Sequence, residues 1–371
     1  MRVPATKPFF FDKDQKHILN GLKKILTGKS FLSMGSYGKE FEKKFASYIN
    51  TKYAVSCNSG TSALELICRS LKIPGKEIIV PSNTFIASVN AIMNSGCKPV
   101  FADCGEDMCI NIESIKKKIT KKTSAIMVVH IGGIITKDIF EIKKFCENKK
   151  IFLIEDAAQA HGSSLNGSKA GTFGIAAGFS FFSTKVMTTG EGGMVTTNSL
   201  KMVKRMRSMR EFGKVKKDIY QNYHTSIGYN WRLGEINSLM GLMQLKSIKK
   251  FINGRRKIAK IYDKELSSLK SIEIIKPTNF KEHNYFKYII LLKNHRREMV
   301  HKNLLKNLVS PGGYVYEIPL HKQPVFKKYN NIKLINSEKY CSKHLCLPIF
   351  YSMKSNQAKY VVKILKKILV N

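Results

Sequence analysis

One stretch of this chain leaves little choice of fold. Residues 151–156, IFLIED, are a continuous apolar run of strand type that ends in two carboxylates, Glu155 and Asp156. Such a run reads as a central parallel strand, and open α/β sheets place their chemistry at the carboxyl ends of strands. A second run, AAGFSFFSTKVMTTGEGG at 177–194, has the same grammar: apolar strand, small polar residues, one lysine, Lys185, then glycines.

A lysine at the mouth of a buried strand loses hydration, which lowers its ammonium pKa and frees an amine nucleophile. In a chain this rich in lysine the default for any one of them is a solvated loop position. A lone strand-end aspartate is by default a helix N-cap, here before Ala157 and Ala158. Taken together, Lys185 and Asp156 point elsewhere. A lysine able to form a Schiff base, with a carboxylate able to keep a pyridine nitrogen protonated, is the usual protein contribution to pyridoxal phosphate, whose ring is an electron sink only while that nitrogen holds its proton.

Six runs then carry a resemblance: NSGTSALEL at 58–66, VPSNTFIASVNAI at 80–92, KPVFAD at 98–103, EDAAQAHGS at 155–163, FSFFSTKVMTTGEGGMV at 179–195 and GYNWRLGEINSLMGLMQL at 228–245. In this order and spacing the chain resembles the DegT/StrS-type family of pyridoxal phosphate-dependent sugar aminotransferases, over nearly its whole length and more weakly after about residue 270. The resemblance implies a fold type I aminotransferase, with a large, mainly parallel-sheet α/β/α domain and a smaller C-terminal α+β domain. We expect the first over residues 1–250, including an N-terminal helical segment, and the second over 251–371.

The resemblance also implies roles for single residues. Lys185 is the catalytic lysine that tethers the cofactor, and Asp156 pairs with its ring nitrogen. Phe85 stacks on the pyridine, and Gln159 holds the phenolic oxygen. Gly60, Thr61 and Ser183 hold the phosphate, and Asn230 reaches the phosphate of a neighbouring subunit's cofactor. Tyr314, Tyr316 and His321 belong to the substrate-facing carboxy-terminal segment, although a histidine-tyrosine pattern usual near 314–316 reads Tyr-Val-Tyr here. A relative that dehydrates its substrate carries histidine in place of the lysine; this chain keeps Lys185. The implied reaction aminates a keto group on a nucleotide-linked sugar, for amino sugar and polysaccharide biosynthesis, with an amino acid donor, glutamate. A cyclitol or small phosphorylated ketone is the alternative substrate, and a non-catalytic regulatory protein of the same fold the alternative class.

Local patterns agree with this reading. SGT opens a helix near Ser62 and leaves amide donors for a phosphate, although the same triplet is a common cap. Phe85 falls in the first turn of the helix after EIIVPSNT, where an ordinary core aromatic is the plain alternative. Gln159 follows Asp156 by three residues, one helical turn, and Ser183 shares a face with Lys185 by the strand period of two. His130, at the end of a strand over 124–129, is expected to be a satisfied structural histidine. Further strands are expected at 53–57, 98–102 and 192–197, the last pairing back onto 177–182, and helices at 138–149 and 354–369.

The helix after Asn230 has apolar residues around much of its circumference, from Ile236 to Leu245, which predicts a subunit interface and a homodimer. Its basic continuation, Lys246 to Arg256, reads as exposed, and the smaller domain is expected to start there.

Composition removes other classes. The formal net charge is +38, from 64 Lys and Arg against 26 Asp and Glu, yet only 10 of the basic residues are Arg. Recognition of bases and phosphates favours Arg forks, so a diffuse lysine excess with no recognition motif argues against nucleic acid as partner. The dense run 201–217 reads as a solvated helix face, or as help for an anionic substrate. No apolar run approaches a bilayer span and the amino terminus lacks a secretory pattern, so a cytoplasmic protein without membrane contact is expected. Eight cysteines without a CxxC pair indicate reduced thiols and no metal.

Overall fold

Strands and helices alternate from residue 53 onward, and this alternation builds a sheet whose active edge is the carboxyl end of its strands. The computed structural model describes residues 1–217 and 219–370. Asn371, the last residue of the expected second unit, lies outside the described residues. Seven strands form the main sheet: β1 (Tyr53–Cys57), β2 (Glu77–Pro81), β3 (Lys98–Ala102), β4 (Thr123–Val129), β5 (Phe152–Asp156), β6 (Ala176–Ser180) and β7 (Gly193–Thr197). Their order is β1-β7-β6-β5-β4-β2-β3. Only β7 runs against its neighbours β1 and β6, and the pairs β6/β5, β5/β4, β4/β2 and β2/β3 are parallel.

Both faces of this sheet are covered, which is why its strands are apolar throughout rather than alternating. Ile79, Ile126, Val128 and Leu153 feed one core, while Ile78, Val80, Met127 and Ile154 feed the other. Helices α3 (Gly60–Leu71), α4 (Ile86–Asn94), α5 (Ile112–Lys118) and α6 (Ile139–Lys149) are the crossovers, and α7 (Leu200–Met209) follows β7. Ahead of the sheet lie α1 (Asp12–Leu26) and α2 (Ser36–Ile49). A hairpin, β8 (Lys214–Lys217) with β9 (Tyr220–His224), projects after α7.

Helix α8 (Glu235–Leu266) runs unbroken for 32 residues. Its first half does not present the bare apolar circumference expected of an interface helix. Leu239, Leu242 and Leu245 are buried within the chain, where α8 meets α1, α2 and α11 (Ser355–Val370). The basic continuation is likewise not simply exposed: Ile248, Phe251, Ile252 and Arg255 are buried, and the same helix carries Ile258 and Tyr262 into a second core. That core lies under a three-stranded antiparallel sheet of β10 (Ile272–Ile274), β11 (Tyr288–Leu292) and β12 (His344–Leu347), with α9 (Arg297–Lys306) and α11. Helix α10 (Ile335–Lys343) leads into β12.

Most expected elements form, with shifts of local kind. Helix α3 begins at Gly60, two residues early, because Ser59 caps it by accepting the Ser62 N–H at 3.1 Å. Phe85 is the residue before α4 rather than in its first turn. Residues 157–160 form a tight turn, with Ala160 N–H on the Ala157 carbonyl, rather than a helical turn. The run 201–217 divides between α7 and the hairpin. Its Arg207 and Arg210 are spent on Glu42, at 3.0 and 2.6 Å, and Arg205 on the Ser70 carbonyl. Its lysines and the exposed half of Arg207 remain toward solvent, with Lys217 leaning on Tyr223.

Candidate active site

Parallel strands point their carboxyl ends the same way, so the loops after β1, β2, β4, β5 and β6 gather on one edge. The two carboxylates that end β5 separate there, because successive side chains of a strand face opposite sides. Glu155 turns inward and is fully used: it accepts the N–H groups of Gly171, Phe173 and Gly174 at 2.7–2.8 Å and faces His130 Nε2 at 3.0 Å. His130 is therefore held on one side only, and its Nδ1 is buried without a partner among the described residues. Asp156 turns to the site. Its Oδ2 accepts from Ser88 Oγ at 2.7 Å, and its Oδ1 from the Ala158 N–H at 3.1 Å. Burial pushes the Asp156 carboxyl up, against the pull of those two hydrogen bonds and of Lys185 and His130.

Gln159 is the next fixed point. Its Oε1 accepts the Gly132 N–H at 2.7 Å, which leaves its NH2 group to face Tyr316, whose hydroxyl lies 2.5 Å from Nε2. The amide orientation thus comes from the backbone, and the carboxamide presents a donor to the site. The Tyr316 ring stacks beside Phe85 at 6.5 Å between centroids and 27° between planes. Phe85 itself is 60% exposed. An open groove of about 340 Å³ begins here, lined by Phe85, Tyr314, Tyr316, Ile318 and Gln323 among others.

Lys185 sits in the turn that follows β6, its N–H on the Phe182 carbonyl at 2.9 Å, so the strand period does not reach Ser183. Ser183 and Lys185 nevertheless line the same water-sized cavity. The lysine is half-buried, and its Nζ lies 4.8 Å from the ring centroid of Phe286. Burial lowers its pKa to about 8; Asp156 resists this and Lys287 adds to it. The result is an amine about a tenth unprotonated at pH 7, far more than an ordinary lysine.

Gly60 and Thr61 open α3 with N–H groups that no acceptor takes among the described residues, since the Ser59 cap serves Ser62. A side chain at Gly60 would meet Ser180 Cβ at 2.6 Å, so only glycine lets the helix start approach the end of β6. The other expected residues stand apart from the Asp156 and Gln159 group. Asn230 is exposed on a backbone bridge to Glu211 at the base of the β8/β9 hairpin. Tyr314 lines the groove but directs its hydroxyl to His301 Nδ1 at 2.6 Å. His321 is fully buried, held by Ser82 Oγ at 2.7 Å and Glu338 at 3.1 Å. It pins the loop that carries Tyr316 and does not line the groove.

The structure adds residues that sequence reasoning missed. Asn284 donates to the carbonyls of Gln159 and His161 at 2.8 and 3.1 Å, and a side chain at Gly133, where φ is +95°, would meet its Oδ1 at 2.1 Å. Phe286 and Lys287 follow it, and both Lys185 and Lys287 lean on the Phe286 ring. A buried asparagine before the β11 strand was the one available signal; a further lysine in this chain gave none. Pyridoxal phosphate fits the residues present: an amine of lowered pKa, a carboxylate beside it, an amide donor, an exposed aromatic face and unsatisfied N–H groups at a helix start. Among the described residues no group of side chains could hold a metal ion.

Comparison with known proteins agrees with this geometry. A protein-family model described as the DegT/DnrJ/EryC1/StrS aminotransferase family matches residues 12–366. The chain is 35% identical to GDP-perosamine synthase of Vibrio cholerae over 98% of each chain. It is 32% identical to the UDP-N-acetyl-3-dehydro-alpha-D-glucosamine 3-aminotransferase of Acidithiobacillus ferrooxidans, over 95% of this chain and 94% of that one. Among solved structures, Helicobacter pylori PseC, an aminotransferase involved in the biosynthesis of pseudoaminic acid, superposes with a TM-score of 0.93 at 27% identity over the whole of both chains. Enzymes of this kind work with pyridoxal phosphate. With its large mostly parallel sheet and helices on both faces, the chain belongs to the DegT/DnrJ/EryC1/StrS aminotransferase family.

Proposed function

We propose that this enzyme transfers an amino group from glutamate to a keto group on a nucleotide-linked sugar, as a cytoplasmic homodimer. The observation that carries the reading is Lys185 within electrostatic reach of Asp156, with Gln159, three residues on, bonded to Tyr316 at the edge of an open groove. The two curated relatives described above are named for nucleotide-linked sugars, which supports the substrate class. Among the described residues no helix is long and apolar enough to cross a membrane.

Bound at this edge, the cofactor supplies an electron sink for the donor's broken Cα–H bond. The chain's residues do the rest. Lys185 Nζ takes the proton from the donor's α-carbon, which its lowered pKa suits. With the cofactor bound, Asp156 would keep its ring nitrogen protonated, Gln159 would offer a donor to its phenolic oxygen, and Phe85 would offer its exposed face to the ring. Gly60, Thr61 and Ser183 would hold the phosphate. Tyr314 and Tyr316 face the sugar across the groove, and His321 holds their loop in place. Residues 1–250 form the cofactor-binding unit and 251–371 the smaller one, joined by α8.

The dimer draws support from an exposed apolar patch beside the site rather than from the buried part of α8. Phe31 and Leu32 are 73% and 68% exposed, and Met34, Phe182 and Ile236 are partly exposed with them. They are contiguous: Ser33 bridges Gly234, Phe182 bridges Gly190, and Asn237 donates to the Thr189 carbonyl. Covering this patch with a second copy would bring another chain to the Lys185 loop, within reach of an exposed Asn230.

A half-reaction screen tests the reading. The enzyme is first aminated with glutamate, and keto compounds are then added singly while the visible absorbance of the bound cofactor is followed. Nucleotide-linked 3-keto or 4-keto sugars restore it fast and the free sugars slowly, because remote diphosphate binding supports the reacting centre. A cyclitol or small phosphorylated ketone that works as well as every nucleotide sugar would replace the substrate class.

A further inference from the structure

We propose that Lys287 is the cation that receives the α-carboxylate of the amino acid donor, an inference that rests on the aminotransferase reading above. Lys287 and Lys185 lean on one ring: their Nζ atoms lie 5.3 and 4.8 Å from the centroid of Phe286. A single residue also ties Lys287 to Gln159. Gly132 gives its N–H to Gln159 Oε1 at 2.7 Å, and its carbonyl accepts the Lys287 N–H at 3.2 Å. Lys287 is thereby fixed beside the ring that Lys185 leans on and one residue removed from Gln159.

An α-amino acid bears its carboxylate on the same carbon as its amine. Once that amine takes the place of the Lys185 amine, the carboxylate must lie one carbon away, in a partly dehydrated site where an uncompensated anion is costly. Lys287 suits it. The side chain is half-buried, one of its three N–H donors goes to the Gly312 carbonyl, and no carboxylate lies within salt-bridge distance among the described residues. The two arginines nearby give donors to backbone carbonyls, although Arg255 Nε has no partner among the described residues and the exposed Lys7 also lines the Lys185 cavity. Arg255 Nη1 serves the carbonyls of Tyr285, Phe286 and Ile349, and Arg256 Nε serves that of His283. The same cation explains part of the low pKa of Lys185, since a like charge nearby disfavours the ammonium form.

The test compares L-glutamate with isoglutamine, its α-carboxamide, by titrating the cofactor-loaded protein and following the visible absorbance that donor binding changes. Wild type binds glutamate at least about tenfold more tightly than isoglutamine. Lys287→Met weakens glutamate by about tenfold or more and leaves isoglutamine unchanged, so the preference disappears, and Lys287→Arg recovers part of it. Lys287→Gln provides a second neutral variant that keeps hydrogen-bonding capacity if the methionine protein folds poorly. Unchanged glutamate binding in the neutral variants, or equal weakening of both compounds, overturns the inference, as does a loss confined to the keto substrate. The donor reading is tested by wild type alone: if another amino acid changes the absorbance and glutamate does not, glutamate is dismissed and that amino acid with its α-amide decides the role of Lys287.

Discussion

The Tyr316 hydroxyl lies 2.5 Å from Nε2 of Gln159, joining two residues 157 positions apart in the chain. Gln159 is oriented by the Gly132 backbone and Tyr316 by a loop that His321 fastens to Ser82, so neither residue is free to choose the other. The contact closes the site between the large sheet and the carboxy-terminal loop, and it places Phe85 at the entrance.

Lys185→Ala removes both the yellow colour of the purified protein and the cofactor adduct fixed by borohydride. The reason is that Lys185 is the amine of lowered pKa that faces Asp156. Peptide mapping after reduction checks this, and an adduct on another lysine overturns the assignment.

Asp156→Asn retains most cofactor affinity but lowers kcat on the order of 10²–10³-fold, the size of losing one preorganised electrostatic partner. A neutral amide keeps the Ser88 and Ala158 contacts partly and cannot hold a pyridinium proton. Steady-state rates with a separate measurement of cofactor binding resolve the two effects; normal turnover would refute the role.

Glu155→Ala behaves in the opposite way to its neighbour. Removing this carboxylate strands three N–H groups and His130, and costs on the order of 3–5 kcal/mol of stability. Urea denaturation of the two single variants side by side shows whether the penalty belongs to Glu155 and not to Asp156.

Cofactor capture by cofactor-free protein accelerates with pH and levels off above about 8, where the Lys185 amine is unprotonated. The sign follows from burial and Lys287 disfavouring the ammonium while Asp156 favours it; buried His161 beside it is held neutral, its own pKa lowered to about 3 by burial and by Lys185. Asp156→Asn therefore moves the midpoint to lower pH. Stopped-flow absorbance at a series of pH values reads it, and a midpoint near that of an ordinary lysine would contradict the burial.

Mixed dimers of inactive Lys185→Ala and impaired Asn230→Ala chains regain activity, because one site of each hybrid keeps both residues. Asn230 is exposed and the apolar patch around Phe31 and Phe182 adjoins the Lys185 loop, which makes a shared site the expectation. Absence of rescue after confirmed subunit exchange would assign each site to one chain.

Much of the fold is legible in sequence because it is written locally. Apolar runs such as 151–156 and 177–182 identify strands covered on two faces, and the β1 and β3 strands fall where their composition places them. Lys185, Asp156 and Gln159 are legible for the same reason: each lies within a few residues of a strand end, and the sheet edge brings strand ends together whatever the details. The proposed roles of Asn230 and the exposed patch need a second chain, and only their exposure is given by the fold of one.

Tertiary structure decided what local pattern leaves open. The apolar circumference of α8 reads as an interface, yet packing against α1, α2 and α11 consumes most of it and leaves Ile236 exposed, since a hydrophobic stripe specifies burial but not by what. His321 and Tyr316 lie five residues apart in one loop, and only docking against Ser82 and Gln159 makes one a buried pin and leaves the other lining the groove. Lys287 is one lysine among many in the sequence. What distinguishes it is a ring shared with Lys185 and a glycine shared with Gln159, relationships between distant segments that exist only once the small sheet is seated on the large one.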